Sequence, residues 1–393
     1  MIERIVAGGA GLARSSAGIV LLRGGLPGER VLARLTQNKG YRSGEVIRIL
    51  EPAPERVNTP LPPSADLPLN YPAQLQVKQE LLRETLLRLG GIDYPVEPVV
   101  PSPRQLHYRT SAQYAIWQGQ PAYRLPGTHQ LIPVGADPLV AEPLAKVLPI
   151  IGQVEAQEVV LRGSLLTGEV VAGIIAERPP KLPPSWQELA GVIWGRPAKG
   201  RFWGQTQLLR GRREIKENFG GIEASVGPAS FAQVNPLAAG ALYRDAAALA
   251  SPAKRAIELY AGSGVFSSHI SPKFSEMVAI EISPDAIRRG RQDAAHLGAS
   301  NIKFIQADAQ NFTGFLPADL VVLDPPRAGL APAVREALAK SELNQILYIS
   351  CDPASLARDL GFLTKSDWQP TLIRPYDFYP YTHHLEVLVR LER

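Results

Sequence analysis

Ala256-Ile-Glu-Leu-Tyr-Ala-Gly-Ser-Gly-Val-Phe266 decides the fold. A short apolar run stops at Tyr260, and two glycines follow before a short helix. Glycines let a backbone turn tightly and approach a ligand closely. Working outward, Met277-Val-Ala-Ile-Glu281, Ile302-Lys-Phe-Ile-Gln306, Leu320-Val-Val-Leu-Asp324 and Gln345-Ile-Leu-Tyr-Ile-Ser350 read as further strands. Helical stretches over 284–297 and 332–340 separate some of them. Alternating strand and helix predicts an α/β domain with a parallel, Rossmann-like sheet over residues 226–393. His384-Leu-Glu-Val-Leu-Val-Arg-Leu391 reads as one more strand, inserted antiparallel.

At 393 residues the chain should hold two or three domains. Residues 1–56 alternate short β-rich pieces with glycine turns, as a small barrel does. A Pro-rich linker over 57–72 precedes an amphipathic helix over 73–90 that stops at Gly90-Gly91. The helix is a candidate for packing on the α/β domain. From 96 to 225 the pattern is β-type, with one short helix near 139–147. The expected division is therefore 1–56, 57–225 and 226–393.

A single cysteine excludes an intrachain disulfide and any multi-cysteine zinc or iron–sulfur site. No stretch resembles a signal peptide or membrane span, so the expected location is the cytoplasm, with no obligate protein partner. The net charge of +5 is uneven. Residues 1–56 hold nine Arg/Lys against five Glu, and residues 196–217 hold seven against two. Trp194, Phe202 and Trp203 lie in or beside that second run. Basic surface with interleaved aromatics suits a phosphate backbone and unstacked bases, which makes nucleic acid the leading partner.

Chemistry concentrates at strand ends. Glu281 can hold the two hydroxyls of a ribose, and Asp308 follows the third strand near the expected adenine. With the glycine loop, these acids fit S-adenosylmethionine at least as well as NAD. Asp324-Pro-Pro-Arg-Ala-Gly329 ends a fully apolar strand in a rigid loop, with Asp324 and Arg327 placed to bond a base edge or the cofactor. Cys351 stands between a buried strand and a helix opened by Asp352-Pro353. A lone cysteine can be a small buried hydrophobe. This one also stands where a helix N-terminus would stabilise a thiolate.

Together the motifs resemble the RNA uracil-C5 methyltransferases, which make 5-methyluridine in transfer and ribosomal RNA. The resemblance runs over nearly the whole chain. Gly8-Gly-Ala-Gly-Leu-Ala-Arg14 and Leu26-Pro-Gly-Glu29 are similar to the family's TRAM module, an RNA-binding barrel. Phe231-Ala-Gln-Val-Asn235 resembles the entry to the methyltransferase fold, which implies that Gln233 contacts the cofactor. Tyr260, Gly262, Glu281 and Asp324 fall on other cofactor positions. Ser350-Cys-Asp-Pro-Ala-Ser-Leu-Ala-Arg-Asp359 resembles the nucleophile block. Asp377-Phe-Tyr-Pro-Tyr-Thr-His-His-Leu-Glu386 resembles the terminal block and implies Glu386 as general base. Several family members bind a four-iron cluster through cysteines that this chain lacks, so it resembles a cluster-free member.

The implied chemistry explains the residue types. Uracil C5 is a poor nucleophile; a thiolate added to C6 makes C5 enolate-like, and a base then removes the C5 proton. Only one cysteine is needed, because a carboxylate resolves the adduct. His384 shares the face of Glu386, since Leu385 and Val387 take the other side of the strand. It is expected to support the site by hydrogen bonding. The barrel favours 23S ribosomal RNA as target, with transfer RNA as the alternative. The rival of a different class is an inactive RNA-binding protein, which should show damage at Gln233, Glu281, Asp324, Cys351 or Glu386. None is damaged.

Overall fold

Residues 1–16, 18–38, 40–125, 128–198 and 206–393 are described by a computed structural model. The N-terminal chain forms β1 (Ile2–Ile5), β2 (Gly11–Ser15), β3 (Gly18–Arg23), β4 (Arg30–Gln37) and β5 (Arg42–Glu51). They make one sheet in the order β1-β2-β3-β5-β4, in which only β3 and β5 run parallel. The Ile2 amide bonds Glu29 O and its carbonyl accepts from Gly28 N, each at 2.9 Å. The first strand thus also touches the chain entering β4, which curls the sheet around Ile2, Val20 and Leu22.

Helix α1 (Tyr71–Thr85) begins two residues earlier than the sequence pattern suggests, because Asn70 caps it. The Asn70 side-chain oxygen accepts from Ala73 N at 3.1 Å, and Pro72 sits in the first turn. The helix runs on as a π-turn over Leu86–Gly90 and stops at Gly91, whose φ of 66° suits glycine. Leu81, Leu82 and Leu86 pack on Leu356, Ala357 and Leu360 near the far end of the chain. Glycines permit that contact: a Cβ on Gly361 would lie 2.6 Å from Gly90 O.

The central sheet contains β6 (Ser111–Trp117), β7 (Gln120–Arg124), β8 (Leu131–Pro133), β9 (Glu158–Gly163), β10 (Val170–Ile175), β11 (Gly191–Gly195) and β12 (Gln207–Gly211). Their order is β12-β11-β10-β9-β6-β7-β8. The short helix α2 (Glu142–Val147) closes a core around Leu144, Leu161, Ile174 and Trp186. A hairpin, β13 (Ile215–Phe219) and β14 (Ile222–Val226), leads into the last third of the chain.

There the elements are α3 (Pro236–Leu249), β15 (Ala253–Leu259), α4 (Val265–Ile270), β16 (Phe274–Glu281), α5 (Pro284–His296), β17 (Ile302–Gln306) and β18 (Leu320–Leu323). They continue with α6 (Pro332–Lys340), β19 (Gln345–Ser350), α7 (Pro353–Leu363), β20 (Gln369–Tyr376) and β21 (Glu386–Glu392). The sheet order is β17-β16-β15-β18-β19-β21-β20, with β21 antiparallel to both neighbours. Strand order reverses between β15 and β18, where open α/β sheets bind ligands at the carboxyl ends of their strands. Strand β20 is absent from the sequence reading because Pro370 and Pro375 interrupt it. Both are tolerated because β20 is the sheet edge.

Candidate active site

A cavity of about 1280 Å³ opens at that switch point. Its lining includes Gln233, Tyr260, Gly262, Glu281, Asp324, Arg327, Cys351, His384 and Glu386, all singled out from the sequence. Asp308 is not among the lining residues; its carboxylate caps the next turn, accepting from Gln310 N at 2.9 Å. In the glycine loop Tyr260, Gly262 and Gly264 all have positive φ, and a Cβ on Gly264 would lie 2.6 Å from the Phe304 ring. Glu281 is already oriented, accepting from Gly262 N at 3.0 Å and Ser283 N at 2.8 Å.

Sheet register brings the two reactive residues together. Ser350 pairs with Val387 in the antiparallel ladder of β19 and β21, so one step further sets Cys351 beside Glu386. Leu385 and Val387 enter the apolar core while His384 and Glu386 face the cavity, as alternation along a strand requires. Glu386 is 1% exposed and its Oε2 has no hydrogen-bond partner among the described residues. Burial, reinforced by Asp324 and opposed by Arg327, pushes its carboxyl well above the usual range. Burial likewise pushes Asp324 up to about 7.

The helix N-terminus behind Cys351 carries the expected aspartate cap. Asp352 accepts from Ser355 N at 2.7 Å. Burial, with Glu386 and Asp324 close by, pushes the Cys351 thiol up to about 12. His384 is driven down to about 4 by burial and by His383 and Arg327, so it is neutral at physiological pH.

Tyr379 and Glu258 are among the cavity residues that the sequence pattern does not reveal. Tyr379 packs edge-on to His384, ring centroids 5.9 Å apart, within the terminal block already quoted. Glu258, on β15, donates nothing to the surface and accepts from Ser267 Oγ. Burial pushes its carboxyl up to about 8, so the folded chain holds a proton that the unfolded chain releases near pH 4.5. Stability is therefore expected to fall between pH 4.5 and 8 by on the order of a few kcal/mol. Glu258→Gln should remove that dependence, raising the melting temperature relative to the parent by at least ~3 °C more at pH 9 than at pH 5. An equal offset at both pH values would refute it.

The terminal loop 377–384 is held almost atom by atom from distant parts of the chain. Asn235 donates to Phe378 O at 3.1 Å, and Tyr108 to Pro380 O at 3.2 Å. Tyr381 N donates to Gln74 Oε1 at 2.6 Å, and Tyr381 O accepts from Leu67 N at 3.0 Å. Lys78 and Asp377, both wholly buried, pair at 2.6 Å, and Lys78 also donates to Tyr379 O at 3.0 Å. His383 is held by Asp66, which accepts from its backbone N at 2.9 Å and its Nδ1 at 2.5 Å.

Within the basic run 196–217, Lys199, Arg201, Phe202 and Trp203 lie outside the described residues. Arg210, Arg212 and Lys216 make internal ties, to Leu189 O, Glu169 and Asp293. Arg213 lines the cavity and donates to Thr206.

The mostly parallel sheet of this order, with β21 antiparallel, a glycine loop after β15 and an acid ending β16, has the form of a Rossmann-like methyltransferase. Residues 256–341 match a general methyltransferase-domain profile, and residues 315–393 match that of tRNA (uracil-5-)-methyltransferases. An uncharacterized RNA methyltransferase of Gloeobacter violaceus is 30% identical over 100% of this chain and 95% of its own length. One from Streptomyces avermitilis is 30% identical over 100% and 97%. The chain belongs to the RNA methyltransferases. Among solved structures, Pyrococcus abyssi tRNA (uracil-54, C5)-methyltransferase in complex with S-adenosyl-L-homocysteine superposes with a TM-score of 0.80. It is 23% identical, and the match covers 100% of this chain and 99% of that one, so the fold is shared from end to end. No helix among the described residues is long and apolar enough to cross a membrane.

Proposed function

We propose that this chain methylates C5 of a uridine in RNA, with Cys351 as nucleophile and Glu386 as general base. The observation that carries the reading is the register that sets these two side chains next to each other in one cavity with the glycine loop. The cavity suits S-adenosylmethionine, because Asp324, the unpartnered Glu386 Oε2 and the Cys351 thiol together call for a positive charge. When bound, that cofactor supplies an activated methyl group and a cationic sulfonium. Glu281 would take the ribose hydroxyls, with Gln233, Tyr260 and Gly262 around the remainder. A cation among Asp324, Glu386 and Cys351 favours the ionised forms that the chemistry needs.

Cys351 then adds to C6, forming the C–S bond and making C5 nucleophilic. Once C5 carries the methyl group, Glu386 accepts the C5 proton. Elimination breaks the C–S bond and restores the aromatic ring. Arg327 and His384 line the uracil side, and Asp324 can meet a base edge. The target must leave its stack to reach Cys351, at a cost of roughly a few kcal/mol. Residues 1–56, as a TRAM-like unit, and the basic run contribute RNA affinity to offset it, with 57–225 as a central unit and 226–393 as the methyltransferase unit.

The N-terminal sheet does not by itself select 23S ribosomal RNA, since a solved enzyme named for a tRNA uridine aligns over the same length. The decisive experiment is transfer of labelled methyl from S-adenosylmethionine to unmodified ribosomal and transfer RNA, followed by nucleoside analysis. 5-Methyluridine in either RNA supports the reading and names the target. Label at another atom, or in neither RNA, refutes it.

A further inference from the structure

The N-terminal sheet reaches the active centre through three residues. The turn between β1 and β2 is closed by Gly9 N to Val6 O at 3.0 Å and Val6 N to Ala10 O at 2.9 Å. Gly9 has a φ of +76°, and its open side is filled from across the molecule. A Cβ there would overlap His383 Nδ1 and lie 2.7 Å from Asp66 Oδ2. His383 in turn packs against His384 at a tilt of 39°, ring centroids 4.1 Å apart. His384 lines the cavity, packs edge-on to Tyr379 and precedes Glu386 by two residues.

We propose that the Gly8–Gly9 turn is a positioning element for the catalytic loop, seating His383 against Asp66 and thereby fixing His384 and Tyr379 beside the uracil pocket. The inference rests on the uridine-methylation reading of that pocket. Asp66 holds the backbone and ring of His383, and the turn lies against the same ring edge, over the Nδ1–Oδ2 hydrogen bond. The histidine ring therefore has one place to sit. His384 inherits that placement through the ring contact, and its side chain is a wall of the space in which Glu386 must meet C5. A displacement on the order of 1 Å at such a wall can cost up to ~10²-fold in rate. Gly9, Asp66 and His383 are positioning residues, since none of them lines the cavity. The N-terminal sheet would thus act on turnover as well as on RNA affinity.

The test measures tritium release from RNA carrying [5-³H]uridine, which reads the chemical steps, at saturating RNA and cofactor. Gly9→Ala should lower kcat by about tenfold or more, while the KM for RNA and the affinity for S-adenosylhomocysteine stay within about twofold. His383→Ala should also lower kcat, and the Gly9→Ala/His383→Ala double variant should be no slower than His383→Ala, because the added methyl then meets no ring and Asp66, freed of the ring, can give way to it. Should Gly9→Ala fail to fold, Asp66→Ala and Asp66→Asn replace it: the first should lose turnover, and the second should restore most of it by keeping the oxygen that faces His383 N. Unchanged kcat with a raised KM, or strictly additive losses in the double variant, would overturn the proposal. A parent chain that releases no tritium defeats the functional reading itself. An active parent with indifferent Gly9 and His383 variants defeats only this inference.

Discussion

Cys351→Ala should abolish methyl transfer, lowering turnover by on the order of 10⁴-fold or more, while RNA and cofactor binding stay near the parental level. The size of the effect follows from chemistry: without the C6 adduct, C5 has no electron density to attack an activated methyl group. Folding should survive, because the half-buried thiol has no disulfide to lose and Asp352 caps the following helix independently. The same geometry sets the reactivity of the free enzyme. With the thiol pushed up to about 12, alkylation of Cys351 by iodoacetamide should be slow at pH 7 and rise steadily towards pH 11. The sign is set first by burial, and the neighbours add to it: carboxylates at 386 and 324 oppose a third negative charge, while Arg327 favours it. Fast alkylation at neutral pH would contradict this electrostatic picture, and methyl transfer by Cys351→Ala would refute the nucleophile.

Glu386→Gln should separate adduct formation from release. The amide keeps the shape of the side chain but cannot accept the C5 proton, so the methylated uridine stays attached to Cys351. Turnover should fall by about 10²- to 10⁴-fold, the range of a lost general base. A covalent protein–RNA band should build up, stable to denaturing electrophoresis and absent from Cys351→Ala/Glu386→Gln. Because Glu386 is buried with an unpartnered Oε2 and a carboxyl held well above the usual range, the substitution should also leave the fold at least as stable at neutral pH. A folded Glu386→Gln chain that forms no band, or turns over normally, would remove Glu386 from the role of base.

The sheet was legible because its strands are nearly unbroken apolar runs: Leu320–Leu323 is buried at every position. Glu281, Asp324 and Cys351 were legible because each ends such a run, and strand ends at a switch point define a ligand site. Alternation along one strand sufficed to point His384 and Glu386 to the same side. What stayed hidden depends on partners far away in sequence. Nothing near Cys351 tells that two carboxylates will face it, so a raised thiol could not be read from a helix start alone. Tyr379 gains its place from Lys78 and Asp377, and the meaning of Gly9 lies in His383. Strand β20 was masked by prolines that only its edge position excuses.

The buried pair of Lys78 and Asp377 spans 299 residues, which has a consequence for the order in which the protein is made. On a ribosome adding roughly 5–20 residues per second, Lys78 emerges about 15–60 s before its partner. Until then helix α1 cannot bury its inner face without stranding an ammonium group, at a cost of several kcal/mol. Gln74 waits in the same way for Tyr381. The first third of the chain therefore docks only when the last few residues arrive, and those residues include Glu386. A nascent or truncated chain lacking them has neither a base nor a settled N-terminal half, so an incomplete product is both inert and exposed to proteolysis.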